Sequence, residues 1–232
     1  MEQFAVLLPA AGRSVRFGGP RSKLLEPLDG IPVIRRSIDA FVNRRDVACI
    51  IIASGANQSP HEVLGCRERE PLHSKLKFAP GGASRAESVK LALQQVPADI
   101  AWIAVHDAAR PLVSQPLIDR IFAAAIEYGA AVPALPVQLT VKQAQGPLPA
   151  KVQRTLPRHT LWAMQTPQVM RRTDLLDAYT KCSLPLEEVT DDVQLLELVG
   201  HDVWLVAGDE QNIKITTPSD LRLAELLLGS NR

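Results

Sequence analysis

Residues 4–30 read FAVLLPAAGRSVRFGGPRSKLLEPLDG. The apolar run 4–8 ends in small residues and leads into a segment that carries four cations, Arg13, Arg16, Arg21 and Lys23. This order predicts a buried strand that delivers a cationic loop to the carboxyl edge of a sheet, where backbone N–H groups and cationic side chains can surround a polyphosphate. The glycines match neither GxxxxGK(S/T) nor GxGxxG. The segment therefore indicates nucleotide chemistry of another kind than that of P-loop ATPases or dinucleotide-dependent dehydrogenases.

Composition restricts the class of partner. The chain has 232 residues, with 26 Lys and Arg against 25 Asp and Glu, so its formal net charge is only +1. A general binder of nucleic acid or of an anionic membrane carries a basic excess, so we expect neither partner. No apolar run reaches the roughly 18 residues that span a bilayer, and Cys49, Cys66 and Cys182 form no CxxC pair. We expect a cytoplasmic enzyme with one domain over residues 1–232.

Short apolar runs alternate with helical patterns along the chain. The runs predicted as strands buried on both faces are 4–8, 48–53, 100–105, 130–135 and 203–207. The patterns predicted as helices are 32–41, 85–96, 115–128 and 218–228, with Ser114 as the N-cap before Pro116. Such alternation predicts an α/β fold with a doubly wound, mostly parallel sheet, whose ligands gather at the carboxyl ends of the strands.

Residues 136–162 depart from this alternation. Two stretches of alternating polar and apolar residues flank a Gly-Pro-Leu-Pro turn at 146–149, a pattern typical of an extended β-hairpin. A hairpin has little core of its own and is marginally stable alone. We expect this segment, here called the arm, to protrude and pack on a second subunit in a symmetric homodimer. The alternative is an arm that folds back on its own domain.

Two segments place polar residues where strands are predicted to end. Residues 79–89, APGGASRAESV, put a double glycine before a helix whose first turn holds Arg85 and Ser88 on one face. A plain loop with an N-cap also explains this pattern. Residues 105–112, VHDAARPL, put Asp107 and Arg110 beyond the end of a central strand. They either form a structural ion pair or face a ligand, with the carboxylate accepting sugar hydroxyls or holding a magnesium ion and the arginine binding an anion.

Two further segments lie in the C-terminal third. Residues 190–192, Thr-Asp-Asp, open a predicted helix, where capping alone accounts for their residue types. Lys214 lies in a short apolar stretch, where an ammonium group needs a partner, either a bound phosphate or a structural carboxylate. The five histidines show no HxxxH or HExxH spacing and no GxSxG elbow occurs, so we expect neither a histidine zinc site nor a nucleophilic serine.

Taken together, these segments resemble a known family. Those that carry the resemblance are AAG at 10–12 with Arg16 and Lys23, GGASRAESV at 81–89, HDAARP at 106–111, TPQ at 166–168, TDD at 190–192 and NIK at 212–214. Their order is similar to that of the 2-C-methyl-D-erythritol 4-phosphate cytidylyltransferases of the non-mevalonate isoprenoid pathway, over nearly the whole chain. The resemblance implies a Rossmann-like nucleotidyltransferase fold. It also implies transfer of a cytidylyl group from CTP to 2-C-methyl-D-erythritol 4-phosphate with release of pyrophosphate. The cofactor it implies is Mg²⁺, held mainly by the CTP phosphates, so no metal ligand is assigned among the side chains.

The resemblance also implies roles for individual residues. It assigns binding of the triphosphate and stabilisation of the α-phosphate to Arg16, Lys23 and Lys214. It assigns the cytosine and ribose to Ala10, Ala11, Gly12, Gly82, Ser88 and Asp107, with Arg85 supporting that pocket. It assigns the acceptor side to Arg110, Thr140, Arg158, Thr166 and Thr190. Because Thr140 and Arg158 lie on the arm, the neighbouring subunit is expected to contribute them to a shared active site.

Three positions depart from the family pattern and leave alternatives for the acceptor. Ser22 precedes Lys23 where the family usually has proline, Leu139 precedes Thr140 where aspartate is common, and Ala83 follows Gly82 where an acid sometimes stands. The nearest alternative is a cytidylyltransferase acting on ribitol 5-phosphate. More distant ones are a guanylyl transferase of molybdenum-cofactor maturation, which the 81–89 segment disfavours, and a nucleotide sensor that has lost catalysis.

Overall fold

The computed structural model describes residues 1–12, 17–18, 22–55 and 58–230 of the chain. Its strands are β1 Phe4–Pro9, β2 Pro27–Leu28, β3 Ile31–Pro32, β4 Val47–Ser54, β5 Leu76–Pro80, β6 Trp102–Val105, β7 Ala130–Pro136, β8 Lys142–Ala144, β9 Val152–Thr155, β10 Trp162–Met164, β11 Gln168–Arg171 and β12 Trp204–Ala207. Its α-helices are α1 Val33–Val42, α2 Pro60–Leu64, α3 Arg85–Leu93, α4 Gln115–Tyr128, α5 Arg172–Lys181, α6 Asp192–Leu198 and α7 Pro218–Ser230. Single 3₁₀ turns span Lys23–Leu25 and Arg158–Thr160.

Within the described residues, eight strands form one mixed sheet in the order β10-β7-β11-β6-β1-β4-β5, and β12 also pairs with β7. The pairs β1–β4, β1–β6, β4–β5 and β7–β12 are parallel, whereas β10 and β11 run antiparallel to their neighbours. The predicted α/β fold with a mostly parallel sheet is therefore confirmed. The sequence pattern did not predict strand β11, which is inserted antiparallel between β6 and β7.

Alternation along the central strand β1 divides the core into two layers. Phe4, Val6 and Leu8 pack with the apolar faces of α1 and α4, while Ala5 and Leu7 pack with those of α3, α5 and α6. Successive side chains of a strand point to opposite faces, so a run that is apolar at every position has to be covered on both sides. Helices on both faces leave the strand ends as the place where polar side chains can gather.

One local expectation was wrong, and a second was confirmed in its position but not in its hydrogen bond. The run 203–207 was expected to be buried on both faces, but β12 lies at an edge with Trp204 50% and Leu205 43% exposed. It pairs with β7 on one side only, and the Trp204 ring stacks on Tyr128 at 4.4 Å between centroids. Ser114 occupies the N-cap position of α4, but its hydroxyl donates to Asp209 Oδ2 (2.9 Å) instead of accepting a helix N–H.

The arm contains the predicted hairpin. Strands β8 and β9 pair antiparallel in a separate two-stranded sheet, and their side chains are all exposed. Backbone bonds from Val137 N to Leu161 O and from Leu156 N to Val141 O tie the two sides together nearer its base. Among the described residues, none of the helices is both long and apolar enough to span a membrane.

Candidate functional site

A cavity of about 500 Å³ opens at the carboxyl ends of β1 and β6. Its volume lies in the range of small-molecule sites. Nine of the predicted site residues line it, and they come from five separate segments of the chain: Ala10, Ala11, Gly12, Lys23, Gly82, Arg85, Ser88, Asp107 and Lys214. Arg16, the remaining predicted triphosphate ligand, lies outside the described residues.

Close backbone approach explains the double glycine at one wall of the cavity. The backbone at residue 10 follows β1, with Ala10 N donating to Ala53 O, and Gly81 N donates to Ser54 O across the same gap. A Cβ on Gly81 would collide with the Cβ of Ala11 and come within 3.0 Å of Ser54 O. Gly81 is therefore required where two backbone segments meet beneath the cavity.

The start of α3 holds the next wall. The Ser84 hydroxyl caps the helix by accepting from Glu87 N, and the Ser88 hydroxyl donates to Ser84 O (2.9 Å). Gly82 N in turn donates to Ser88 Oγ at 3.0 Å. Ser88 thus connects the helix to the glycine backbone, and Arg85, in the first turn, projects to the cavity edge.

Asp107 is the electrostatic centre of the site. Its carboxylate contacts Lys214 Nζ at 2.9 Å, Arg85 Nε at 3.3 Å and Arg110 Nε at 3.4 Å. Burial alone would raise its pKa, but the charges of Arg85, Lys214 and Arg110 hold that pKa well below its usual range. The carboxylate therefore stays ionised near neutral pH and pairs with three cations, of which Arg85 and Lys214 line the cavity.

The two lysines reach the cavity from opposite ends of the sequence. Lys23 lies in a 3₁₀ turn capped by Ser22, whose hydroxyl accepts from Leu24 N, and Lys23 Nζ donates to Ile215 O at 2.8 Å. Ile215 N donates to Ala109 O, so the segment that carries Lys214 is joined to the loop that carries Asp107. In this structure the partner of Lys214 is a carboxylate, one of the two alternatives that the sequence left open.

The structure does not bring the predicted acceptor-side residues to this cavity within one chain. Arg110 is buried behind Asp107, donating Nη1 to Asn212 O at 2.7 Å, and Thr166 is buried beside it. Thr190 is exposed and donates to Gln194 Oε1. The N-cap of α6 is Asp191, whose carboxylate accepts from Gln194 N. Thr140 and Arg158 lie exposed on the arm.

The sequence did not predict a place in the site for several buried polar residues behind the cavity. Asp192, completely buried, contacts Arg85 Nη1 through Oδ2 at 2.7 Å. Gln168 Oε1 accepts from Asp192 N and Val193 N, and its Nε2 donates to Asp191 Oδ2. Burial raises the pKa of Asp192, and Arg85 opposes that rise. The motifs at 166–168 and 190–192 contained this signal, but helix capping explained the two acids equally well.

The cavity is equipped to bind and orient a polyphosphate. Its described lining carries two lysines and an arginine, a helix start and backbone from three segments, but no histidine or cysteine. Such a site can position two anions and neutralise their charge, which is the main requirement of phosphoryl transfer.

Comparisons with known proteins give the family. Residues 4–230 match the family model of 2-C-methyl-D-erythritol 4-phosphate cytidylyltransferase. A relative of that name from Rhodopirellula baltica is 38% identical over 98% of this chain and 96% of its own. The chloroplastic enzyme of Oryza sativa is 37% identical over 97% of this chain and 74% of its own.

Solved structures give the same result. The enzyme of that name from Thermus thermophilus superposes with a TM-score of 0.79 at 34% identity, covering 98% of both chains. The one from Francisella tularensis gives a TM-score of 0.81 at 29% identity, covering 97% of this chain and 99% of its own. The chain thus belongs to the 2-C-methyl-D-erythritol 4-phosphate cytidylyltransferase family, and it is a nucleotidyltransferase that moves a cytidylyl group from CTP to 2-C-methyl-D-erythritol 4-phosphate.

Proposed function

We propose that the cavity binds CTP and that the acceptor phosphate attacks the α-phosphorus in line while pyrophosphate leaves. Lys23 and Lys214 bind the triphosphate and stabilise the charge that develops on the α-phosphate, and Arg16 is proposed to join them. Ala10, Ala11, Gly12, Gly82 and Ser88 surround the cytosine and ribose through backbone and hydroxyl groups. Arg85 supports this pocket, and Asp107 lies at the ribose.

No general base is needed in this proposal. The phosphate of the acceptor is already ionised near neutral pH, so the reaction requires that two anions be brought together rather than that a proton be removed. The basic side chains of the lining lower the repulsion between the two anions, and the fixed backbone orients CTP.

On the acceptor side we propose Arg110, Thr140, Arg158, Thr166 and Thr190. Arg110 and Thr166 are buried behind Asp107, and each is hydrogen-bonded to it; this contact with a lining residue supports their assignment to the acceptor side. Thr140 and Arg158 belong to the arm, and we propose that they reach the cavity of a second subunit in a homodimer. The arm supports this because residues 136–162 contain Lys142, Lys151, Arg154 and Arg158 but no Asp or Glu.

Mg²⁺ enters the proposal as a partner of CTP. The described residues contain no group of three or more His, Cys, Asp or Glu side chains that could hold a metal ion. The lining carboxylate of Asp107 is already surrounded by three cations. These residues fit an ion bound through the phosphates of CTP, where Mg²⁺ would neutralise charge on the triphosphate. The free thiols of Cys49, Cys66 and Cys182 support the reducing, cytoplasmic setting that we also propose.

The observation that carries the proposal is the convergence of Lys23, Arg85 and Lys214 on one cavity around Asp107. The test is pyrophosphate release from CTP and Mg²⁺, with 2-C-methyl-D-erythritol 4-phosphate and ribitol 5-phosphate offered separately. We expect release with the first alone. Preference for ribitol 5-phosphate would replace the acceptor, and CTP binding without release would indicate a sensor.

A variant tests the role of Lys23 in the same assay. Lys23→Ala should lower kcat by about 100-fold or more while weakening CTP binding far less, because the contact strengthens as charge develops. Lys181→Ala, which removes an exposed lysine paired with Asp177, is the matched control and should leave both unchanged. Equal losses in kcat and CTP affinity would contradict a transition-state role.

A further inference from the structure

His106 is a buried residue for which the proposed chemistry has no use. It follows β6 directly, is 0% exposed and does not line the cavity. Its backbone N–H donates to Leu7 O, and its ring contacts Phe41 edge-on at 5.1 Å between centroids. Because His106 lies next to Asp107 but cannot reach a ligand in the cavity, it can affect the reaction only through the residues that it contacts.

The hydrogen bonds of the ring determine its tautomer. Nε2 lies 3.1 Å from Arg110 O, and a carbonyl oxygen only accepts, so Nε2 carries the hydrogen. Burial lowers the pKa of His106 to about 4, so the ring is neutral near pH 7 and Nδ1 is an acceptor. Thr166 Oγ1, 3.1 Å from Nδ1, must then donate to it. The same oxygen accepts from Asp107 N at 3.0 Å.

This chain of bonds joins three segments that the sequence keeps far apart. His106 and Thr166 hold Asp107 N and Arg110 O, the two ends of the 107–110 turn. Thr166 O accepts from Asn212 Nδ2 at 2.8 Å, and Asn212 O accepts from Arg110 Nη1 at 2.7 Å. Asn212 lies two residues before Lys214, whose ammonium contacts the Asp107 carboxylate.

We propose that His106 is a positioning residue for cytidylyl transfer: through Arg110 O and Thr166 Oγ1 it sets the positions of Asp107, Arg110 and Lys214 relative to the cavity. It touches neither CTP nor the acceptor. This inference rests on the proposed function for its catalytic consequence, whereas the tautomer and the bonds stand independently of it.

Two substitutions separate the two bonds of the ring. The amide of His106→Gln can still donate to Arg110 O from the position of Nε2 but offers Thr166 no acceptor at Nδ1. The amide oxygen of His106→Asn can accept from Thr166 but leaves Arg110 O without its donor. We expect each to lower kcat by about 10- to 100-fold, the scale of a misplacement of about 1 Å, with CTP affinity changed less than about threefold.

Thr166 supplies the coupling test. Thr166→Val removes the hydroxyl and Thr166→Ser retains it, so the serine variant should recover most of the kcat lost in the valine variant. In a double-mutant cycle, His106→Gln should add little to Thr166→Val, because the valine variant already lacks the hydrogen bond to Nδ1 that His106→Gln removes. Additive losses would overturn the proposal, as would His106→Gln with wild-type kcat.

A spectroscopic test needs no variant. ¹⁵N chemical shifts of the His106 ring in the full chain should identify a neutral imidazole with protonated Nε2 and bare Nδ1. A charged ring or the other tautomer at pH 7 would overturn the proposal. If the tautomer is as expected but wild-type protein transfers no cytidylyl group, the proposed function fails and the hydrogen-bond assignment does not. If both hold and the variants lose CTP affinity as much as kcat, His106 is structural only and the proposal fails.

Discussion

At the scale of single residues, the site depends on buried charges that compensate each other. Arg85 lies between Asp107 and Asp192, and these two acids are among the most deeply buried charged groups of the described chain. Burying a charge is costly unless it is paired, so each member of this group stabilises the fold only while its partners are present. The same pairing keeps the cations at the cavity edge in one arrangement.

Asp192→Asn should show this dependence. The substitution preserves the shape but removes the charge that faces Arg85 Nη1, leaving a buried guanidinium with less compensation. We expect the free energy of unfolding to fall by about 3 kcal/mol, measured by urea denaturation. The matched control is Asp177→Asn, which breaks the exposed pair with Lys181 and should cost less than about 1 kcal/mol. Similar losses of unfolding free energy in both variants would show that the buried pair stabilises the fold no more than the exposed one.

The buried neutral ring of His106 makes stability depend on pH. Its pKa is lowered to about 4 in the folded protein by burial, against about 6.5 in an unfolded chain. Between these values the unfolded state binds more protons, so stability is complete above about pH 6.5 and is lost as the pH falls towards about 4. This proton uptake makes the free energy of unfolding about 3 kcal/mol lower at about pH 4 than above about pH 6.5. Below about pH 4, stability falls further, because Asp107 binds a proton more readily in the unfolded chain than in the folded protein, where its pKa is lowered.

Urea denaturation at a series of pH values measures this loss. His106→Gln has no titrating ring, so its free energy of unfolding should change much less between about pH 6.5 and about pH 4 than that of the unmodified chain. Parallel curves for the two proteins would contradict a neutral, buried His106.

At the scale of elements, the cavity forms where strand ends and one helix start meet. The carboxyl end of β1 delivers Ala10–Gly12, the end of β6 delivers Asp107, and the capped start of α3 delivers Arg85 and Ser88. Glycine at 81 lets the turn before α3 lie against Ala11. The elements therefore position the cavity lining by backbone packing as much as by side-chain contacts.

Gly81→Ala should disturb this packing directly. Its Cβ would collide with Ala11 and crowd Ser54 O, so the turn must move away from the cavity. We expect CTP binding, measured by calorimetry, to weaken by about 10- to 100-fold, the equivalent of about 1–3 kcal/mol of overpacking. Gly229→Ala, the same change at a helix position with open space, should leave binding unchanged. If Gly81→Ala binds CTP as tightly as the unmodified chain, the turn can move away from Ala11 without disturbing the cavity.

At the scale of the whole molecule, we propose that the arm of a second subunit completes the site. The arm strands bury none of their side chains within one chain, and Arg158 Nη1 donates to Gln138 O across the base of the arm rather than towards the cavity. In the proposed symmetric dimer, the arm of each subunit would reach the cavity of the other.

Mixed dimers test whether the site is shared. Lys23→Ala alters the cavity and Arg158→Ala alters the arm, and each homodimer should be nearly inactive. When the two proteins are unfolded and refolded together, each mixed dimer has one cavity with both native residues, so about a quarter of the wild-type activity should return. Refolding each variant alone is the control. No recovery, with dimers present in ultracentrifugation, would show that each arm serves its own cavity.

The sequence was sufficient to predict the elements that are strongly apolar. Strands β1, β4, β6 and β7 and helices α1, α3, α4 and α7 all occur within a few residues of their predicted ranges, because buried parallel strands and amphipathic helices have periods that a single chain displays. Strands β5 and β11 were missed. Each is short and carries polar side chains at or near its ends, and pairing with distant strands stabilises both.

The fold class, the family and the segments that reach the cavity could all be predicted from the sequence, because residue types at the ends of apolar runs are local information. The pairing of the buried charged side chains, in contrast, depends on the tertiary structure. The antiparallel insertion of β11 beside β6 brings Thr166 to His106 and Asp107, and Gln168 to Asp192. These contacts join residues that are 24 to 60 positions apart. Such contacts follow from strand order and burial, and no local pattern in the chain encodes them.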